Sequence, residues 1–250
     1  MKLDGMTALV TGGGRGIGQA ISRRLAAEGA HVVVHYGANQ EAAQATATSI
    51  RQAGGRADIL GATLGGHDIE QDAAALWAGF DAISDRLDVL VNNAGIADGR
   101  GTIDDVEFDS LARLLAVNTL APFFVTKLAL PRISDGGRIV NVSTHLTRGA
   151  AQPDLIGYAM TKGAIDVFTA TLGKQLGERG ITVNAVAPGV VDTDMNAAWL
   201  DHARDMVAMQ SPLGRVAQPS DIGDVVAFLA SDDSRWVTGQ HIDTSGGALL

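Results

Sequence analysis

TALVTGGGRGIG, residues 7–18, joins a short β-branched apolar run to a cluster of glycines and then to an apolar-periodic segment. A strand, a tight turn and the start of a helix fit its three parts. Gly12, Gly16 and Gly18 carry no Cβ, so the backbone can turn sharply there and approach a pyrophosphate closely. The helix behind the turn offers unpaired N–H groups and the positive end of its dipole to an anion. Glycine turns between strand and helix are common, and this one gains weight from following the first strand directly.

Outward from that turn, the chain keeps alternating. Short β-branched runs at 31–35, 57–60, 89–92, 138–142, 182–186 and 241–243 read as strands. Ala/Leu-rich periodic runs at 17–28, 40–53, 72–83, 109–130, 158–179 and 221–230 read as helices. Several strands are continuously apolar, which suits parallel strands buried on both faces. Gly29, Gly54-Gly55 and Gly180 sit where helix C-caps belong. The pattern predicts an α/β fold: a Rossmann-like, doubly wound parallel sheet of about seven strands, with right-handed crossovers and helices on both faces. No linker, repeat or shift in composition divides it, so one domain is expected over 1–250. Residues 189–219 break the rhythm, with Met195, Trp199, His202, Met206 and Met209 between two Pro-containing turns. That excursion is too long for an ordinary connection and is expected to be a substrate lid, a packed helical excursion being the alternative.

Composition narrows the function. The 250 residues carry a formal net charge of −9 and no cysteine. A thiolate nucleophile, a cysteine-ligated metal and a disulfide scaffold are excluded. The acidic balance argues against a nucleic-acid partner. The apolar stretch 114–131 is interrupted by Asn118, Thr119, Pro122 and Lys127, so neither a membrane span nor a signal peptide is expected, and the default is cytoplasmic. His31 and His35 share a strand without a third ligand type, so no metal site is expected. Asp104-Asp105 are expected to start or cap the helix behind them.

The spacing Gly-x-x-x-Gly-x-Gly, with NNAG at 92–95, Asn118 in AVNTLAPF, RIVNVST at 138–144, YAMTK at 158–162 and APG at 187–189 followed by Thr193, resembles the short-chain dehydrogenase/reductase family. The resemblance is to its single-domain branch of about 250 residues, similar to 3-oxoacyl-ACP reductase-like ketoreductases, and it covers essentially the whole chain. It implies hydride transfer between a nicotinamide and a ketone or secondary alcohol, on a small-molecule substrate. A homotetramer, or a homodimer, is implied with it. A cofactor-binding regulatory or scaffold protein on the same fold is the alternative; its mark would be a broken Tyr or Lys, and both are intact.

Tyr158 and Lys162 stand i and i+4 on one helix face. A phenol titrates near 10, and a cation one turn away is expected to lower that value, so Tyr158 is the expected acid/base. The resemblance implies that Lys162 also holds the nicotinamide ribose, that Asn118 sits at a helix kink and reaches Lys162 through a water, and that Thr193 holds the carboxamide. The hydroxyl that orients the carbonyl is Thr144 in the favoured register, with Ser143 as the alternative.

Expected cofactor contacts run through Gly12, Gly14, Arg15, Gly16, Ile17 and Gly18, then Tyr36, Thr63 and Leu64, then Asn93, Ala94 and Gly95, and finally Tyr158, Lys162, Pro188, Gly189, Val191 and Thr193. No acid follows the second strand within His35–Asn39 to bind a ribose 2′-hydroxyl. Arg15 is available for a 2′-phosphate, and Tyr36 and Asn39 are polar neighbours, so NADP is expected, with NAD as the alternative.

Overall fold

The structure, a computed structural model, describes residues 1–149, 152–248 and 250. Seven strands form one parallel sheet in the order β3-β2-β1-β4-β5-β6-β7. They are β1 Thr7–Val10, β2 His31–Tyr36, β3 Arg56–Gly61, β4 Leu87–Asn92, β5 Ile133–Val142, β6 Thr182–Pro188 and β7 His241–Thr244. The helices are α1 Gly16–Ala27, α2 Gln40–Gln52, α3 Ile69–Asp81, α4 Phe108–Leu115, α5 Ala121–Ala129, α6 Ile156–Gln175, α7 Asp194–Gln210 and α8 Pro219–Ala230. The expected alternation and fold class are therefore those observed.

Side chains alternate across the sheet and build one core on each face. Val10, Val34 and Val91 join Ile21 and Leu25 of α1, Ala47 of α2 and Val226 of α8. On the other face, Leu9, Val33 and Leu90 join Leu76, Trp77 and Phe80 of α3, Val125 of α5 and Leu172 of α6. Every residue of β1, β4 and β6 is buried, and each buried Val or Leu contributes about 1.5–3 kcal/mol. Trp77 buries its indole without stranding its N–H, which donates to the Val125 carbonyl at 2.9 Å.

The strand order reverses between β1 and β4, which opens a crevice above their carboxyl ends. Because all seven strands run the same way, the loops after β1, β4, β5 and β6 converge on that edge.

Two expectations are corrected. The helix expected over 109–130 is two helices, α4 and α5, joined by a π-helical turn, Ala116–Leu120. Pro122 stands at the start of α5. It has no N–H to give the Asn118 carbonyl four residues back, so regular winding is interrupted there. Asp104 and Asp105 do not start α4. That helix begins at Phe108 behind Glu107, and Asp105 instead accepts from the Thr102 hydroxyl at 2.7 Å in an upstream turn. Within 189–219, the structure has α7, whose Leu200 and Val207 pack with Val216 and Trp199 in a small cluster of their own. Met195, Met206 and Met209 are exposed. The stretch Phe108–Ala129 is long and apolar enough by composition to cross a membrane; in the fold, its Leu114, Val125 and Ala129 are buried.

Candidate active site

The first loop at the crevice follows β1. Gly12 and Gly16 adopt φ of +62° and +52°, a region open to glycine. A Cβ on Gly18 would stand 2.2 Å from the Gly12 carbonyl oxygen, so α1 packs against its own entry loop at a distance only glycine permits. Gly14 turns toward α2, where an added Cβ would lie 2.9 Å from the Ala43 nitrogen. The result is a close-set cradle of bare backbone at the N-terminus of α1. It fits a dinucleotide pyrophosphate, and a Cβ at either Gly12 or Gly18 would crowd it.

His35, which the sequence presents only as a histidine without metal partners and as the start of an acid-free stretch, braces this cradle. Its Nδ1 accepts the Gly12 N–H at 3.1 Å and its Nε2 lies 3.0 Å from the Ala62 carbonyl. Nε2 must then carry the proton. Burial pushes the imidazole down to about 4, which keeps the ring neutral and Nδ1 available as an acceptor. Among the described residues no group of three or more His, Cys, Asp or Glu side chains could hold a metal ion.

The loop after β4 is tied to the cradle. Thr11 Oγ1 accepts the N–H groups of Asn93 and Ala94, each at 3.0 Å. Asn93 Nδ2 donates to the Thr11 carbonyl at 2.8 Å. Asn93 is thus a strut between the two loops, its amide hydrogens used on the backbone. Gly95 faces the centre of the site: a Cβ there would lie 3.2 Å from Asn118 Oδ1 and 3.5 Å from Lys162 Nζ. Asn118 is buried in the π-helical turn. It clamps Ile96, accepting from its N–H and donating to its carbonyl, both at 2.9 Å, and it donates to Thr161 Oγ1 at 3.2 Å.

Tyr158 and Lys162 lie in the first two turns of α6, which starts at Ile156 rather than Tyr158. Lys162 Nζ donates to the Val142 carbonyl at 2.8 Å and lies 5.8 Å from the centre of the Tyr158 ring. Burial pushes Lys162 down to about 8, opposed by the charge of Asp166. Burial pushes Tyr158 up to about 12. The lysine was expected to lower the phenol; the shift is upward instead, and its cause is desolvation of the phenolate.

The two hydroxyls at the end of β5 point to different partners. Ser143 Oγ donates to Asp166 Oδ1 at 2.6 Å. Thr144 Oγ1 accepts from the Leu146 N–H at 3.4 Å, opening a short 3₁₀ turn, His145–Arg148. Its hydrogen has no acceptor among the described residues.

Around the far end of the cradle, Ile17 packs against the α1 core and Leu64 against the α3 core. The Tyr36 ring lies across β3, its hydroxyl 2.7 Å from where a Gly61 Cβ would stand. Asn39 Oδ1 is occupied as the N-cap of α2, accepting the Ala42 N–H at 2.9 Å, which leaves only its amide hydrogens free. Thr63 is exposed. Arg15 is exposed and stands 4.0 Å from Asp194, the first residue of α7. Pro188 ends β6, and Gly189 approaches Ser245 so closely that a Cβ would lie 3.2 Å from its Cα. Val191 is buried, and its carbonyl accepts from Asn196 Nδ2 at 2.8 Å. The Thr193 methyl would meet a Gly16 Cβ at 3.3 Å, which places the N-terminus of α7 at the rim of the cradle.

Residues 12–248 match the family described as Enoyl-(Acyl carrier protein) reductase. The chain is 38% identical over 266 residues to versicolorin reductase of Emericella nidulans, covering 99% of this chain and 97% of that one. Among solved structures, the angucycline C-6 ketoreductase LanV, with bound NADP, superposes at a TM-score of 0.94 with 45% identity, over 100% of this chain and 97% of that one. A short-chain dehydrogenase/reductase from Serratia marcescens superposes at 0.90 with 35% identity, over 100% of both chains. With likeness of this degree over its whole length, the chain belongs to the short-chain dehydrogenase/reductase family of NAD(P)-dependent oxidoreductases.

Proposed function

We propose that this chain is an NADPH-dependent ketoreductase whose proton donor is Tyr158. The observation that carries the reading is the placing of Tyr158 and Lys162 on one face of α6, with Lys162 Nζ beside Gly95 of the loop after β4. When bound, the nicotinamide supplies the hydride to the carbonyl carbon. The protein supplies orientation and the proton. Thr144, with an uncommitted hydroxyl hydrogen, donates a hydrogen bond to the carbonyl oxygen and positions it. The Tyr158 hydroxyl gives its proton to that oxygen as negative charge develops there. With a phenol held at about 12, Tyr158 stays in its acid form through neutral pH, which suits reduction. Lys162, at about 8, is mostly cationic at pH 7 and stabilises the phenolate left behind. The clamp of Asn118 on Ile96 and Thr161 holds α6 against the β4 loop.

NADP is favoured over NAD by the absence of an acid after β2 and by the exposed Arg15. The LanV structure holds NADP, which agrees with that choice. The substrate is a small carbonyl compound. The exposed Met195, Met206 and Met209 on α7 favour an apolar one, and residues 189–219 are its lid. A cytoplasmic location and a homotetramer complete the reading. Leu120, Phe123, Met160 and Val167 leave apolar surface exposed along α5 and α6 and the turn before them. Light scattering is expected to give a tetramer mass, and a monomer mass independent of concentration rejects it. The activity is tested by following NADPH oxidation with fused-ring aromatic ketones, β-ketoacyl thioesters and simple ketones. Turnover of at least one ketone class is expected, and cofactor binding without turnover of any would favour a regulatory binding protein.

A further inference from the structure

Beneath the candidate site lies a polar group that the reduction described above leaves unused. Asp166 stands one helical turn beyond Lys162 and two beyond Tyr158, so the three share a face of α6. Its side chain is only 15% exposed. One carboxylate oxygen accepts from Ser143 Oγ at 2.6 Å. The other lies 3.4 Å from Nε2 of His241, whose side chain is 5% exposed. Thr147 Oγ1, on the turn that Thr144 opens, is 3.2 Å from the same His241 nitrogen and donates to the Thr144 carbonyl at 3.1 Å. One carboxylate therefore joins the end of β5, the start of β7 and the helix that carries Tyr158 and Lys162.

A buried carboxylate is costly unless it is compensated. Ser143 supplies a hydrogen bond to one oxygen, and His241 Nε2 stands 3.4 Å from the other. Neither contributes a fixed positive charge, and Lys162 is the nearest one on the same helix face. The need runs both ways. Lys162 is 5% exposed, and its ammonium has one protein acceptor, the Val142 carbonyl, among the described residues. The groups facing Lys162 are Tyr158 and Asp166 on its own helix, the Val142 carbonyl on β5, and Asn118 across the Gly95 position. Asp166 is the only carboxylate among them.

We propose that Asp166 is a positioning residue of the reductase site: held between Ser143 and His241, its carboxylate keeps the Lys162 ammonium charged and fixes the hydroxyl of Ser143 away from the substrate. The first part rests on the Tyr158/Lys162 reading above, and it explains how a lysine buried this deeply stays cationic at neutral pH. The second part leaves Thr144 as the hydroxyl free to meet a carbonyl.

The test uses the small number of lysines. The chain has four, Lys2, Lys127, Lys162 and Lys174, so ε-¹³C-lysine NMR of the full chain gives four signals, and loss of one in Lys162→Arg assigns it. In the wild type, Lys162 is expected to titrate below the other three. Asp166→Asn keeps the shape and removes the charge, and should lower the Lys162 midpoint by about one pH unit. Asp166→Glu should restore it to within about 0.3. Asp166→Ser is a second charge-deleting variant should the amide not fold, and thermal melts identify which variants do. The descending alkaline limb of NADPH-dependent ketone reduction should move down with the midpoint, because losing a negative charge weakens the hold of the Tyr158/Lys162 pair on its proton. KM for the ketone should change less than about threefold, since Asp166 does not touch the substrate. A folded charge-deleting variant with an unmoved Lys162 midpoint overturns the proposal. A moved midpoint with an unmoved turnover limb upholds the electrostatic role of Asp166 and refutes the part given to Lys162 in the reaction.

Discussion

Protonating His35 should loosen the cofactor cradle. The imidazole holds the Gly12 N–H through Nδ1, and protonation turns that acceptor into a donor facing a donor. Burial lowers the folded-state value from 6.5 to about 4. A group whose folded value is depressed binds more protons when unfolded, so stability rises with pH between the two values and is lost as pH falls through them. Worked through linkage, the His35 contribution lost relative to neutral pH is about 2 kcal/mol at pH 5 and about 3 kcal/mol at pH 4. Carboxylates titrate in the same window, so the clean quantity is the difference between wild type and His35→Gln, whose amide does not titrate. Urea unfolding at pH 7.5, 6, 5 and 4 measures it. His35→Gln is expected to be the less stable at pH 7.5, with the gap closing as pH falls. A gap constant to within about 0.5 kcal/mol from pH 7.5 to pH 4 would refute the reasoning, since it would mean that His35 binds its proton alike in both states.

Two further outcomes concern the cofactor and the carbonyl. Arg15→Ala should weaken NADPH binding about tenfold, or about 1.4 kcal/mol, and NADH binding much less, with the difference shrinking at high salt because Arg15 is exposed; titration of both nucleotides at two ionic strengths checks it, and equal losses would remove Arg15 from the 2′-phosphate. Thr144→Val should lower kcat more than Ser143→Ala, because the Ser143 hydroxyl is committed to Asp166 while that of Thr144 is not; the reverse order would give the carbonyl to Ser143.

Much of the fold was legible because buried parallel strands announce themselves as unbroken apolar runs, as at Val32–Val34. The gathering of site loops followed from that: in a parallel sheet, the loops after β1, β4, β5 and β6 share one edge whatever their sequences. The π-helical turn at Asn118 was legible only through the family resemblance, which implies a kink there, and not from the periodicity. Its cause, a proline whose missing N–H falls on a carbonyl four residues earlier, leaves the apolar periodicity of 109–130 intact. His35 was hidden for another reason. Strand alternation says which face it takes, but not that Gly12 will be folded over it. Asp166 carried a local signal, its spacing of four from Lys162. Its meaning depends on Ser143 and His241, which reach it from β5 and β7. The upward shift of Tyr158 has a similar origin: helical spacing reveals the neighbouring cation and not the burial that raises the phenol.

The central claim is that Tyr158 delivers the proton. Steady-state reduction of a good ketone by Tyr158→Phe, with NADPH binding measured on the same preparation, tests it most directly. Removing only the hydroxyl should leave cofactor affinity little changed and lower kcat by roughly two to four orders of magnitude, the scale of a proton-transfer group. A variant that binds NADPH normally and keeps more than about a tenth of wild-type turnover would contradict the account, because that retention is far above what loss of the proton donor allows.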